Sequence, residues 1–129
     1  MDRALPVEGV MTNGMVECGR DLLSGLDIEG LHPQAMYWEY NEECRDWYLQ
    51  IITKKMDKGD PRKIIRRVFK VIDSMPAVRQ QLWPDYFNIR GTWDGVYEEA
   101  RNRMPYGRQG VPAAQHEWSN RDFYCYRLG

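Results

Sequence analysis

The sequence contains no apolar run of the roughly eighteen residues that a membrane-crossing helix needs. Its opening, MDRALPVEGVMTNGM, lacks the apolar core of a signal peptide. Cysteine is scarce: Cys18, Cys44 and Cys125 are three in number, widely spaced, and form no CxxC pair. An odd, scattered set does not make a disulfide framework, and the expected compartment is the reducing cytoplasm. Histidine is scarcer still. His32 and His116 stand at no zinc-site spacing with the cysteines, and HEW at 116–118 is not HExxH, so no metal is expected.

The motifs of catalysis are missing too. Ser24, Ser74 and Ser119 lie in no GxSxG frame, and neither GTWDG nor YGRQG is a P-loop or a GxGxxG fingerprint. The acid pairs Glu42–Glu43 and Glu98–Glu99 are adjacent, and neighbours on a helix diverge by about 100°, so they do not converge on one substrate atom. Cys44 sits between Glu43 and Arg45, whose charges pull its thiol in opposite directions. These absences lean away from an enzyme and from any cofactor. The net charge of −1 lacks the basic surplus of a dedicated nucleic-acid binder. There is no internal repeat and no low-complexity tract. A hydrophobic share of 43% with 29% charged residues fits one folded domain over 1–129, with 1–13 as a loose lead-in.

What the chain has in quantity is aromatics. AMYWEYNEECRDWYLQIITKK, residues 35–55, holds two Trp and three Tyr in twenty-one positions. Met36, Trp38 and Tyr40 are all apolar or aromatic at alternate positions, with Glu39 among the residues between them, and Trp47, Leu49 and Ile51 form a matching set beyond the turn. Pairing Asn41 with Asp46 across a four-residue loop sets Tyr40 against Trp47, Trp38 against Leu49 and Met36 against Ile51. A slip of one residue would destroy the match, so the pattern specifies a β-hairpin in this register. Each cross-strand pair of this kind contributes roughly 0.2–1 kcal/mol. Trp38, Tyr40 and Trp47 are therefore read as core. The opposite face carries Tyr37, Tyr48 and Ile52 beside Glu39 and Gln50, too apolar for plain solvent surface and a candidate contact patch.

Around the hairpin the remaining elements read in order. MVECGRDLLSGL is a helix through Met15, Val16, Leu22, Leu23 and Leu26, weakened by Gly19 and Gly25 by up to about 1 kcal/mol each. KKMDKG is a polar linker. DPRKIIRRVFKVIDSM, 60–75, is the clearest helix, with Asp60 as N-cap, Pro61 at the first helical position, and a stripe of Ile64, Ile65, Val68, Phe69, Ile72 and Met75. Arg62, Lys63, Arg66, Arg67 and Lys70 occupy its other side. PAVRQQLWP gives a short helical turn and DYFNIRG a strand. TWDGVYEEARNRM is a helix capped by Thr92 or Asp94 and stopped at Pro105. Residues 106–120 form an irregular loop, and RDFYCYRLG is a last strand. The order α-β-β-α-β-α-β implies an α+β fold, with about four mostly antiparallel strands and helices packed on one sheet face.

The segments G-x-x-L-L at Gly19–Leu23, AMYWEYNEE, DWYLQIIT and GDPRKIIRRV, with YRL at Tyr126–Leu128, resemble small bacterial α+β proteins of mobile DNA, of the integron gene-cassette and plasmid type. The resemblance spans Gly19–Val68 and implies a fold and a genomic setting. It brings no catalytic residues.

Three functions are weighed. The leading one is a non-enzymatic interaction protein, binding a protein partner or forming a homodimer through Tyr37, Tyr48 and Ile52. The second is nucleic-acid binding through Arg62, Lys63, Arg66, Arg67 and Lys70, with salt-dependent affinity. The third is a small-molecule or enzymatic pocket near loop 105–120, built from Tyr106, His116 and Glu117.

Overall fold

The first helix begins where Thr12, in extended conformation, accepts a hydrogen bond from the Met15 N–H, and α1 runs over Asn13–Ile28. A computed structural model describes residues 11–82, 87–93, 95–103, 117–119 and 122–128. Met15, Cys18, Gly19, Leu22 and Leu26 form the buried stripe of α1, at the three- and four-residue steps of one helical face. The hairpin follows as β1 (Ala35–Asn41) and β2 (Asp46–Ile52). Its register is the one the alternation predicts: Met36 opposite Ile51, Trp38 opposite Leu49, Tyr40 opposite Trp47, and Asn41 opposite Asp46. The Asn41 side-chain oxygen accepts from the Glu43 and Cys44 N–H groups at 2.9 and 3.1 Å, which folds the turn locally.

KKMDKG is a helical turn instead of a linker, α2 (Lys55–Lys58), and it packs on α3 (Pro61–Asp73). Asp60 caps α3 as expected, its carboxylate accepting from the Arg62 N–H at 3.0 Å. The buried residues of α3 are Ile64, Val68, Val71 and Ile72, while Phe69 is half exposed and leans on Phe87 with ring centroids 5.4 Å apart. The short α4 (Pro76–Gln81), β3 (Phe87–Arg90), α5 (Val96–Arg103), the two-residue β4 (Trp118–Ser119) and β5 (Phe123–Leu128) complete the order.

Among the described residues the sheet has five strands, in the order β3-β2-β1-β5-β4. β3 runs parallel to β2 and the other pairs are antiparallel, so the sheet is mixed. One face, with Met36, Trp38, Trp47, Leu49 and Ile51, forms the larger core with residues of α1, α3 and α4. The opposite face is not left open. Ala35, Tyr37, Ile52, Phe123, Cys125 and Leu128 pack there with Tyr97 and Ala100 of α5. The expectation of helices on one face thus holds for α1, α3 and α4, and α5 departs from it, because the apolar half of the outer face takes a helix of its own. Among the described residues no helix is long and apolar enough to cross a membrane.

Tyr126 ties the C-terminal strand to α1. Its hydroxyl accepts from the Trp38 indole N–H at 3.0 Å and donates to the Val16 carbonyl at 2.7 Å. Burial pushes this phenol well above the usual tyrosine range, and it stays a neutral donor. The ring packs against α1 at Gly19, where a Cβ would stand 2.3 Å from its oxygen and 2.4 Å from two ring carbons. The helix carries the propensity cost of Gly19 because the tyrosine occupies the space a side chain would need.

Candidate functional site

The outer-face contact patch does not survive folding. Tyr37 and Ile52 are fully buried beneath α5, Tyr37 against Phe123 with ring centroids 5.7 Å apart. Only Tyr48 stays half-buried, so a homodimer or protein partner seated on these three residues loses two of them to the chain's own core. The physical reason is that Tyr37, Ile52 and the β5 residues beside them form an apolar area large enough to bury an amphipathic helix.

Tyr48 stands instead at a polar cleft of about 400 Å³ on the uncovered half of that face. Glu39, Gln50, Asn88, Arg90 and Val96 line it as well. Gln50 is buried, and its side-chain oxygen accepts from the Arg90 guanidinium at 3.3 Å. Glu117 belongs to neither face of this cleft. Its carboxylate accepts two bonds from Arg20, at 2.7 and 2.8 Å, and one from the Tyr124 hydroxyl at 2.5 Å. The Arg20 guanidinium holds the Glu117 carboxyl below the usual carboxylate range, and burial together with Glu117 raises the Tyr124 phenol. A carboxylate so engaged is a structural tie between α1 and the β4–β5 edge. Tyr106 and His116, its partners in the expected pocket, lie outside the described residues, as do Trp83, Asp94 and Pro105. Among the described residues no three His, Cys, Asp or Glu side chains gather as a metal ion would require.

The cations of the 60–75 helix are placed differently. Arg62, Lys63, Arg66, Arg67 and Lys70 are all exposed on α3, opposite the buried Ile64, Val68 and Ile72. Arg62, Arg66 and Lys70 follow at four-residue steps, a ridge of charges about 6 Å apart along the helix axis. Arg67 is partly committed, donating to the Glu29 carbonyl at 2.6 Å. Arg62, Lys63, Arg66 and Lys70 meet no carboxylate within ion-pair distance among the described residues.

Sequence reasoning missed a second group of cations beside them. Lys54, Lys55 and Lys58 are exposed on and next to α2, which packs on α3. Residues 54–70 therefore carry eight of the 18 Lys and Arg residues against two of the 19 acids, leaving ten against seventeen elsewhere. The near-neutral total hides a segment of net charge +6 on a remainder of −7. Both local acids are occupied: Asp60 caps α3, and Asp57 accepts from the Thr92 N–H and hydroxyl at 3.0 and 2.6 Å. A count of charge over a sliding segment would have found this patch. The whole-chain sum cancels it.

The chain matches no family model, no curated protein and no solved structure.

Proposed function

We propose that this is a non-catalytic binding protein whose α2–α3 surface engages the phosphate backbone of nucleic acid. The observation that carries the reading is the segregation of charge, eight exposed cations in residues 54–70 with their two acids turned to structural use. Backbone phosphates are an evenly spaced row of anions, and an exposed ridge of Arg and Lys is the complementary surface. The ridge is also rigid, since the opposite side of α3 is packed into the core. A setting on mobile DNA, which the sequence resemblance implies, is compatible with such a partner.

The test is fluorescence anisotropy with labelled DNA and RNA at about 50 and 200 mM salt. Four phosphate contacts give a slope of about −2.8 on a single strand to about −3.6 on a duplex in log affinity against log salt, a loss of about 50- to 150-fold over that interval. Arg66→Gln/Lys70→Gln removes two contacts and leaves the Arg67–Glu29 tie intact, so its slope should fall by about two. Absence of binding at the lower salt, or a double variant that binds like the wild type, would overturn the reading.

A further inference from the structure

We infer that the nucleic acid is taken as a single strand, with the Trp93 indole as a platform on which a base stacks. The inference rests on the phosphate-binding reading and specifies its ligand. Trp93 is 77% exposed, at the end of a turn that leaves β3 and docks on α2. Exposed apolar residues taken singly are ordinary. The backbone leading into this one is anchored beside the basic surface. Gly91 has no room for a side chain, because a Cβ would stand 2.2 Å from the Asp57 carboxylate. Thr92 then donates from its N–H and its hydroxyl to the two oxygens of that carboxylate. Asp57 lies in the same turn as Lys55 and Lys58, so the clamp sets Trp93 next to the α2 cations. The indole nitrogen lies 3.4 Å from the position a Gly91 Cβ would take, which places the ring over the clamp itself.

An exposed aromatic on an anchored turn, beside a row of cations, suits splayed-out bases. In a duplex the base faces are already stacked on one another, whereas a single strand offers a face for every base and a phosphate for every step. An anionic lipid surface also attracts cations and tryptophan. It requires a broad apolar face to insert, and the apolar stripe of α3 is buried in the core.

The experiment uses the full chain with labelled single strands of DNA and of RNA, about 16 nucleotides long, and the matching DNA duplex. Wild type should prefer a single strand, with the DNA and RNA arms showing which sugar is favoured. Trp93→Ala should lose about 5- to 150-fold in single-strand affinity while its salt slope and duplex binding stay unchanged, and Trp93→Phe should retain most of the affinity. Because the side chain is exposed, thermal unfolding of both variants should match wild type. Equal or tighter duplex binding by the wild type, or a Trp93→Ala variant with undiminished single-strand affinity, overturns the inference and leaves the phosphate-binding surface standing. Binding to phosphatidylserine vesicles with none to any strand overturns both.

Discussion

Gly19→Ala is a substitution that helix propensity alone would favour, by up to about 1 kcal/mol in a helix interior. The structure reverses the sign. The new methyl would stand 2.3 Å from the Tyr126 oxygen, against about 3.5 Å for a comfortable contact, so the ring must move by more than about 1 Å. Overpacking of that kind costs about 1–3 kcal/mol. The same movement pulls the hydroxyl from the Trp38 indole N–H, and a buried donor left unsatisfied costs about 1–3 kcal/mol more. Subtracting the propensity gain leaves a net loss of about 3 kcal/mol, within limits of about 1 and 5, or roughly 10–15 °C in Tm for a chain of this length. Urea unfolding followed by tryptophan fluorescence measures it. Tyr126→Leu removes the ring, and in that background Gly19→Ala should be neutral or mildly stabilising. The double-mutant cycle should give a coupling of at least about 2 kcal/mol. Wild-type stability for Gly19→Ala, or effects that add to within about 0.5 kcal/mol, would refute the close-approach argument.

Further outcomes follow from the ion pairs and the thiols. Asp27 accepts two bonds from Arg127, at 2.7 and 2.9 Å, and Arg127 holds its carboxyl below the usual range, with the His32 Nδ1 3.5 Å from the same Oδ1 that takes the longer bond. A depressed folded-state pKa contributes stability above the unfolded value near 3.9 that is lost as pH falls through the folded value. Asp27→Asn should therefore cost about 1 kcal/mol at pH 7 and flatten the stability profile below about pH 4, read by denaturant titration across pH. Cys44 is exposed while Cys18 and Cys125 are buried, and burial pushes the Cys125 thiol up to about 12. Iodoacetamide on the native protein should label Cys44 alone by peptide mass mapping, with the other two reacting only on unfolding.

The elements written in local pattern were legible, and those set by distant pairing were not. The hairpin register could be read because both strands and their turn lie within eighteen residues and one alternation governs them. Asp60, Pro61 and the apolar stripe made α3 visible for the same reason. That β3 would join β2 in parallel, and that β5 would lie against β1, depends on contacts across the whole chain. The half-apolar face of Tyr37 and Ile52 reads in the sequence as a contact patch for a partner, and the structure covers it from within the chain. Its cover came from Tyr97 and Ala100, whose helix is too weakly patterned to announce which side it takes. The five cations of α3 are visible in the sequence, whereas Lys54, Lys55 and Lys58 sit in or beside a four-residue turn that has no periodicity to detect. The clamp from Gly91 and Thr92 to Asp57 joins residues 35 apart, and nothing near either end signals it.

The strand order also bears on how the protein is made. Among the described strands β1 comes first in the chain and lies in the middle of the sheet, while its second neighbour, β5, comes last. Trp38 waits for Tyr126, 88 residues later, before its indole N–H is satisfied. On the ribosome the hairpin therefore carries an open edge while the intervening residues are made, and closing a span of that length costs about 4 kcal/mol in chain entropy. Until residues 123–128 emerge, the Trp38 strand is a template for any other extended segment nearby, its own copy on a neighbouring ribosome included. Growth temperature and expression rate should thus decide how much of this chain reaches its native sheet, with strand donation between nascent copies as the competing route.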